Sequence, residues 1–330
     1  MKLEAKDLRD FVEGNPDLVR VNRSTSHPDL RVLKYRPRVH WDNLWTPELM
    51  EMRGLVVDND YNVIARQLRK VFNAGERNAI ERTEYDDDAV VSTFTKINGY
   101  MLSVTQDPKH GLVVATTGTL DSEFAAMGRE ALEAQRFVPH FREGFTYIFE
   151  NCDTRDPHII PEHPGLHYLG AREIETGRFF PTGHADSTDH ALYPYPNDAH
   201  NRVPMFNHTA FQTTMTWGEA KRFVRSARFE GVMAYKMLPH LDVGEAPCIK
   251  LKSPFYLMSK FLARGGVAKL EPLLAKENLH ALRSQFDEEF YPLLDFLVQN
   301  SRYFISSNEQ DRLAIIRMFL FENNPLAEIR

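Results

Sequence analysis

Three runs of β-forming residues follow one another between Val90 and Thr117: VVSTFTKI, YMLSVTQ and GLVVATT. Only Asn98-Gly99 separates the first pair, and only Asp107 to His110 the second. Val, Thr, Phe and Tyr at this density fit a pleated, half-buried surface, so the centre of the chain must be sheet. Other strand candidates surround it. LVRVNRS and LRVLKYRPRV are two strands joined by a Ser/His/Pro/Asp turn, and RGLVVDNDYNVIARQL is a hairpin turning at Asn-Asp. GFTYIFE, LHYLGAREI, EGVMAYKM and APCIKLK are further strands. After Pro254 the pattern changes. Phe255 to Arg330 reads as helix almost throughout, with a stripe at Leu293, Phe296 and Leu297, Pro292 in that helix's first turn, and breaks at Gly265-Gly266 and SSNEQD. Strands followed by helices indicate an α+β chain. A boundary falls at 254–265, giving units 1–254 and 255–330.

Helices also punctuate the β-rich part. Leu3, Leu8, Phe11 and Val12 share a helical face that stops at Gly14. TPELMEM is a short helix capped by Thr46 with Pro47 in its first position, DSEFAAMGREALEAQRF is capped by Asp121 or Ser122, and TWGEAKRFVRSA is capped by Thr216. Residues 181–208, rich in Pro, His and Asn, read as a long surface segment.

The bulk numbers exclude several classes. At 330 residues, with 42% hydrophobic and 26% charged, the chain is long enough for a large domain and a smaller one. Its net charge of -6 excludes a general polyanion binder, so a nucleic-acid site has to be a local basic groove on an acidic body. Cys152 and Cys248 form no CxxC or Cys/His pair, which argues against structural zinc, and so few cysteines point to the cytoplasm. The N-terminal MKLEAKDLRDF is too charged for a secretory signal, and no apolar run approaches the roughly 18–20 residues that span a membrane. No GxxxxGK[ST] occurs, which disfavours a Walker-type NTPase. The histidines between His158 and His208 lack paired-ligand spacing and are read as surface residues, Cys152 as packed, and EYDDD as a solvated acidic turn.

Four stretches place charge on or beside a strand: Lys96 with Gly99, Glu150 in YIFEN, Glu230 in FEGVMAYK, and Lys250 with Lys252 in CIKLKS. Taken singly, each is a solvated strand face. Taken together, they have a chemistry. Lys250 and Lys252, two apart on a strand, share one face. A lysine that attacks phosphorus must lose a proton it ordinarily holds to about pH 10.4, and neighbouring cations such as Lys250 and Lys252 would depress that value. The same cations would offset the charge of a triphosphate. Gly99 would let a nucleotide approach the backbone, and Glu150 and Glu230 could bind ribose hydroxyls or a Mg²⁺ with its waters.

The order KxxG, strand-borne Glu, EG and KxK resembles the covalent nucleotidyltransferases, that is, ATP-dependent DNA and RNA ligases and capping enzymes. TPELMEMRGLVVD, RKVFNAGE, LHYLGAREIETGRFF and IKLKSPFY narrow the resemblance to the phage-type RNA ligase 1 family, over roughly Leu30 to Tyr256. The resemblance implies an ATP-grasp-like nucleotidyltransferase domain of antiparallel sheets with flanking helices, followed by a small all-helical domain. It implies that Lys96 carries AMP and that Arg53, Lys70 and Phe72 contact the nucleotide or its phosphates. By the same resemblance Glu150 binds the ribose, Glu230 assists metal-dependent chemistry, and Lys250 and Lys252 hold the α-phosphate and the leaving pyrophosphate. Tyr256 falls where the family has a tyrosine after KxK. The implied cofactors are ATP and Mg²⁺ or Mn²⁺. The implied partner is RNA with 5′-phosphate and 3′-hydroxyl ends, single-stranded or a nicked tRNA loop, in a repair role and in the cytoplasm (a host's, if the chain is phage-encoded). No membrane or obligate protein partner is implied.

The chain departs from the family at two positions. Asn98 stands where the family usually has Asp, and Thr117 where relatives carry Lys before the Gly; Lys109 is a candidate to compensate for the latter. Two other readings stay open: a DNA ligase or capping enzyme, both of which usually carry an OB-fold after KxK, and an RNA-binding relative whose catalysis has decayed.

Overall fold

A computed structural model of the chain describes residues 2–76, 78, 80–134, 141–156, 158–181, 207–208, 213–238, 246–264, 267–280 and 291–322. Among these, fifteen strands form three sheets. The first joins β1 (Val19–Arg23), β2 (Arg31–Tyr35), β3 (Arg53–Val57) and β4 (Val63–Ala65) in that order, all antiparallel. The second has the order β11 (Phe179–Pro181), β10 (Gly165–Glu173), β9 (Phe145–Cys152), β7 (Tyr100–Asp107), β8 (Gly111–Thr116), with β12 (Asn207–His208) beside β10. The third runs β13 (Thr213–Thr216), β6 (Val90–Thr95), β14 (Gly231–Lys236), β15 (Cys248–Lys252), β5 (Phe72–Asn73). Most neighbours are antiparallel; β5 and β12 add parallel edges. The fold class is α+β, as expected from the strand-then-helix order.

Local chemistry explains several helix starts. The helix Pro47–Glu51 starts on Thr46, whose hydroxyl accepts from Leu49 N at 3.2 Å. Ser122, not Asp121, caps Glu123–Glu133, accepting from Ala125 N. Asp121 instead binds the 24–26 turn, accepting from the backbone N–H groups of Thr25 and Ser26. Thr216 and Glu219 form a reciprocal capping box on Trp217–Arg225. The expected strand through Val39 ends at Tyr35, because Pro37 cannot donate to a ladder and instead opens a one-turn helix, Pro37–Trp41. β5 was not anticipated; two residues give no periodicity to read. Of the surface segment 181–208, only its ends are described, and Gly265-Gly266 lies outside the described residues.

Every described element after Lys252 is helical: Pro254–Arg264, Val267–Leu273, the 3₁₀ turn Lys276–Asn278, Tyr291–Gln299, Ser301–Ser306 and Glu309–Glu322. Leu293, Leu294, Leu297 and Phe304 bury their side chains in one apolar cluster, and Ile159 and Ile160, from the segment after β9, belong to the same cluster. The helices thus share a core with the β-rich part.

A buried ion network ties the first sheet to the second. Glu51, Arg66 and Arg172 are each at most 7% exposed. Glu51 accepts from Arg66 Nε at 3.1 Å and from both terminal nitrogens of Arg172 at 2.9 and 2.7 Å. Burial alone would raise the carboxyl's pKa, but the two guanidinium groups hold it down at about 2. Removing one member leaves buried cations uncompensated, so Glu51→Gln is expected to cost about 3–5 kcal/mol at neutral pH. Because the folded pKa is depressed, the stabilisation is complete above the ordinary value of 4.5 and is lost as pH falls toward 2. Urea unfolding should show a lower midpoint for Glu51→Gln at pH 7 and a narrowing gap below pH 4.5; equal midpoints at pH 7 would contradict this role.

Candidate active site

The segment Lys96-Ile97-Asn98-Gly99 is the crossing between the third and second sheets. β6 ends at Thr95, one residue before Lys96, so the lysine stands at the strand's end rather than on its face. Its backbone N–H still donates to Gly231 O at 2.8 Å, which anchors it to β14. The chain then enters β7 beside β9, with Met101 opposite Glu150. Gly99 is required by this crossing. A Cβ there would collide with the carbonyl oxygen of Asn151 and lie 2.9 Å from Cys152 Sγ. The reason for the glycine is therefore β9, and not only the approach of a nucleotide. Gly99 N donates to Glu150 Oε1 at 3.2 Å. Gly231, at φ +140°, serves the other strand: a Cβ would strike Leu251 O and lie 2.8 Å from Lys252 Cα, so only glycine lets Glu230 turn in beside β15.

These constraints line a cavity of about 440 Å³, within the range of ligand pockets. Arg53, Lys96, Gly99, Glu150, Glu230, Lys250 and Lys252 all face it, as do Asn98, Thr117 and Tyr256. Lys70 and Phe72 do not. Phe72 is buried in the core against Trp45, with ring centroids 5.4 Å apart. Lys70 lies over both rings, with Nζ 2.6 Å from Glu76 Oε1, and lines a separate cavity of about 50 Å³. Lys109 is also remote from the cavity, 3.5 Å from Asp29 at the surface. The cation beside the Thr117-Gly118 turn is Lys34.

Charge is arranged around one buried carboxylate. Glu230, 2% exposed, holds Lys96 Nζ at 2.9 Å, Lys252 Nζ at 3.3 Å and Asn98 Nδ2 at 2.8 Å. Burial would raise its pKa, but Lys96 and Lys252 outweigh that and lower it. Burial would likewise lower the pKa of Lys96, but Glu230 and Glu150 hold it above the ordinary lysine value. The expected depression by Lys250 and Lys252 is thus outweighed by the carboxylates of Glu230 and Glu150. The depressed lysine is Lys250, at about 7, pushed down by burial and then by Arg53, Lys70, Lys96 and Lys252. Glu150 is pushed up by burial and by Glu230, against the pull of Lys96. Asn98 is a bridge: besides donating to Glu230, its Oδ1 accepts from Ile160 N at 2.9 Å.

Sequence reading missed the cavity's apolar wall. Phe94, Met101, Leu169, Phe179, Met233 and Tyr235 belong to one cluster and line the cavity. Met233 sits opposite Phe94 on one side and Lys250 on the other, so all three share a face. Of the wall residues only Phe94 stands two residues from a charged site position, Lys96, and ordinary core strands show the same alternation. His158, read as a surface residue, lines the cavity as well, and burial lowers its pKa beside Asp156. His167 is buried at 4% exposure, a second exception to that reading. Arg264, at the end of helix Pro254–Arg264, brings the helical segment to the cavity's edge.

The residues also meet the donor requirement of a Mg²⁺ shared with a nucleotide. Among the described residues no group of three or more His, Cys, Asp or Glu could cage a metal. Glu230 is buried and Glu150 half-buried, and both face one cavity, with Glu150 pushed up by burial and by Glu230. Mg²⁺ is commonly held by one or two carboxylates with substrate phosphates and water supplying the rest. Among the described residues no helix is long and apolar enough to cross a membrane.

Comparison with known proteins adds a family. The model of the T4-type RNA ligase 1 family, described as RNA ligase, matches residues 51–262. No curated protein sequence matches. Among solved structures, the chain is similar to an archaeal ATP-dependent RNA ligase in form 2, at TM-score 0.47 and 15% identity, covering 93% of this chain and 74% of that one. Form 1 gives TM-score 0.44 and 14% identity, covering 97% and 77%. A putative ATP-dependent DNA ligase from Aquifex aeolicus gives 0.43 and 11%, covering 97% and 80%.

Proposed function

From the premise that this chain belongs to the T4-type RNA ligase 1 family, we propose that it is an ATP-dependent RNA ligase that works through AMP carried on Lys96. The observation that carries the reading is Lys96 Nζ placed 2.9 Å from Glu230, in a cavity with Lys250, Lys252 and Arg53 around it. In the first step Lys96 Nζ attacks the α-phosphorus of ATP. A nitrogen–phosphorus bond forms, the bond to the bridging oxygen breaks, and pyrophosphate leaves with the electron pair. Glu230 is within reach of the proton that Lys96 sheds. Lys250, Lys252 and Arg53 offset phosphate charge, so the work is positioning and charge stabilisation. The apolar wall from Phe94 to Tyr235 accepts the flat base, and Glu150 faces the ribose. AMP then passes to an RNA 5′-phosphate, and a 3′-hydroxyl displaces it to seal the strand.

Glu150 and Glu230 would hold Mg²⁺ or Mn²⁺, directly or through water; the bound ion would offset phosphate charge. The described helices after Lys252 form the part that selects the RNA, and repair of broken RNA, tRNA included, in the cytoplasm is the role we assign. The alternative of a DNA ligase or capping enzyme fits less well, since the described elements after Lys252 are helices rather than the short strands of an OB-fold.

The test is covalent labelling. Wild-type chain, freed of bound AMP, is incubated with Mg²⁺ and α-labelled ATP or GTP and denatured. A label retained with ATP supports the reading; none in the wild type sinks it. Ligation of single-stranded RNA against nicked DNA then separates the ligase classes.

A further inference from the structure

The first sheet carries three cations in one transverse row. Arg20 on β1 is directly opposite Lys34 on β2, and Lys34 is directly opposite Arg53 on β3. Directly opposed residues project to the same face, and like charges placed so are destabilising. Among the described residues none of the three has a carboxylate within ion-pair distance, whereas Arg9, on the N-terminal helix, pairs with Asp60 at 3.6 Å. The row has a direction. Arg53 faces the cavity of Lys96, Lys34 is half-buried, and Arg20 is exposed. Lys34 Nζ lies against Gly118, 3.5 Å from where a Cβ would stand, and Asn22, on the same face of β1 as Arg20, donates to Gly118 O at 2.6 Å. The turn after β8, whose Thr117 lines the cavity, is thereby pinned alongside the row. Burial, Arg53 and Arg20 together lower the pKa of Lys34, so the three charges lie close enough to repel.

We propose that Arg20, Lys34 and Arg53 form a track for the phosphates of the RNA strand whose 5′ end is adenylylated at Lys96. The inference rests on the ligase reading above. Charge and position carry it: an overall acidic chain keeps a cationic row with no described carboxylate in ion-pair distance, starting at the reacting site, where Glu150 acts on Arg53, and leading to its outside. Two strand spacings, about 10 Å in all, take the row away from the cavity toward solvent, the direction a polynucleotide must leave.

The test uses a 5′-phosphorylated single-stranded oligoribonucleotide, followed by fluorescence anisotropy over a range of salt, with Arg20→Ala and Arg20→Ala/Lys34→Ala. Each phosphate contact contributes about 0.7 to the slope of log affinity against log salt for single strands. The slope should become shallower by about 0.7 in the single variant and about 1.4 in the double, with weaker binding in both. Self-labelling with ATP in the absence of RNA should stay at the wild-type level, and Lys34→Arg should bind RNA as the wild type does. Arg20 is exposed, so its removal leaves the fold intact and the single variant decides the matter if the double fails to fold. Unchanged affinity and slope would overturn the track. A fall in self-labelling with RNA binding unchanged would also overturn it, assigning the row to the triphosphate. A wild type that takes no label, with the variants still showing the expected slope changes, defeats the ligase reading and leaves the row standing as a track for RNA phosphates.

Discussion

Lys96→Ala is expected to lose the covalent AMP label by at least about 10⁴-fold, the order seen when an enzyme's nucleophile is removed. The fold should survive the change. Glu230 loses its partner at 2.9 Å but keeps Asn98 Nδ2 at 2.8 Å and Lys252 Nζ at 3.3 Å, so its carboxylate is not stranded. Lys96→Arg separates charge from nucleophilicity. Its guanidinium restores a cation beside Glu230 yet cannot be deprotonated, so thermal stability should match the wild type while the label stays absent. RNA supplied already adenylylated at its 5′ end bypasses the step, and both variants should seal it faster than they seal unactivated RNA with ATP. Labelling of Lys96→Ala at the wild-type level would remove Lys96 from the mechanism.

The second large effect is expected at Asn98. Its amide donates to a carboxylate that is 2% exposed and accepts from the Ile160 backbone on its other side. Aspartate, the residue usual in the resembling family, keeps the acceptor and loses the donor. In Asn98→Asp two buried carboxyls would face each other, and a lost buried donor to a charged group costs about 2–4 kcal/mol. Burial and Glu230 raise the folded pKa of such an aspartate above its unfolded value. A raised carboxyl pKa destabilises above that value, and stability returns as pH falls through it. The melting temperature of Asn98→Asp should therefore lie well below the wild type at pH 8 and approach it toward pH 5. The variant should also need less Mg²⁺ for self-labelling, because an added carboxylate attracts a cation. A pH-independent deficit, with no change in Mg²⁺ requirement, would show that Asn98 acts through shape alone.

Much of this architecture was legible one element at a time. The hairpin at Asn-Asp, the caps at Thr46 and Thr216 and the helical run after Pro254 are local chemistry, and local chemistry is what a sequence displays. Seven of the nine residues assigned to the nucleotide or to catalysis face one cavity, as do Asn98, Thr117 and Tyr256. Lys70 and Phe72 do not, because an aromatic pair and a carboxylate at Glu76 claim them first. A two-residue strand at Phe72–Asn73 has no period, and Pro37 turned an expected strand into a helix.

The sequence by itself determined most of the strands and helices, though not β5 or the turn of helix at Pro37, together with the order of the charged positions and the family they belong to. Each follows from the short-range rules of periodicity, capping and motif spacing. Only the tertiary structure decided that Lys96 is held as an ammonium by Glu230 and Glu150 while Lys250 is the depressed lysine. It alone decided that Gly99 answers to β9 and that Arg20, Lys34 and Arg53 stand in one row. The physical reason is that pKa values, close approaches and cross-strand rows depend on distances of a few ångströms between residues far apart in the chain, and those distances are set by sheet register and burial.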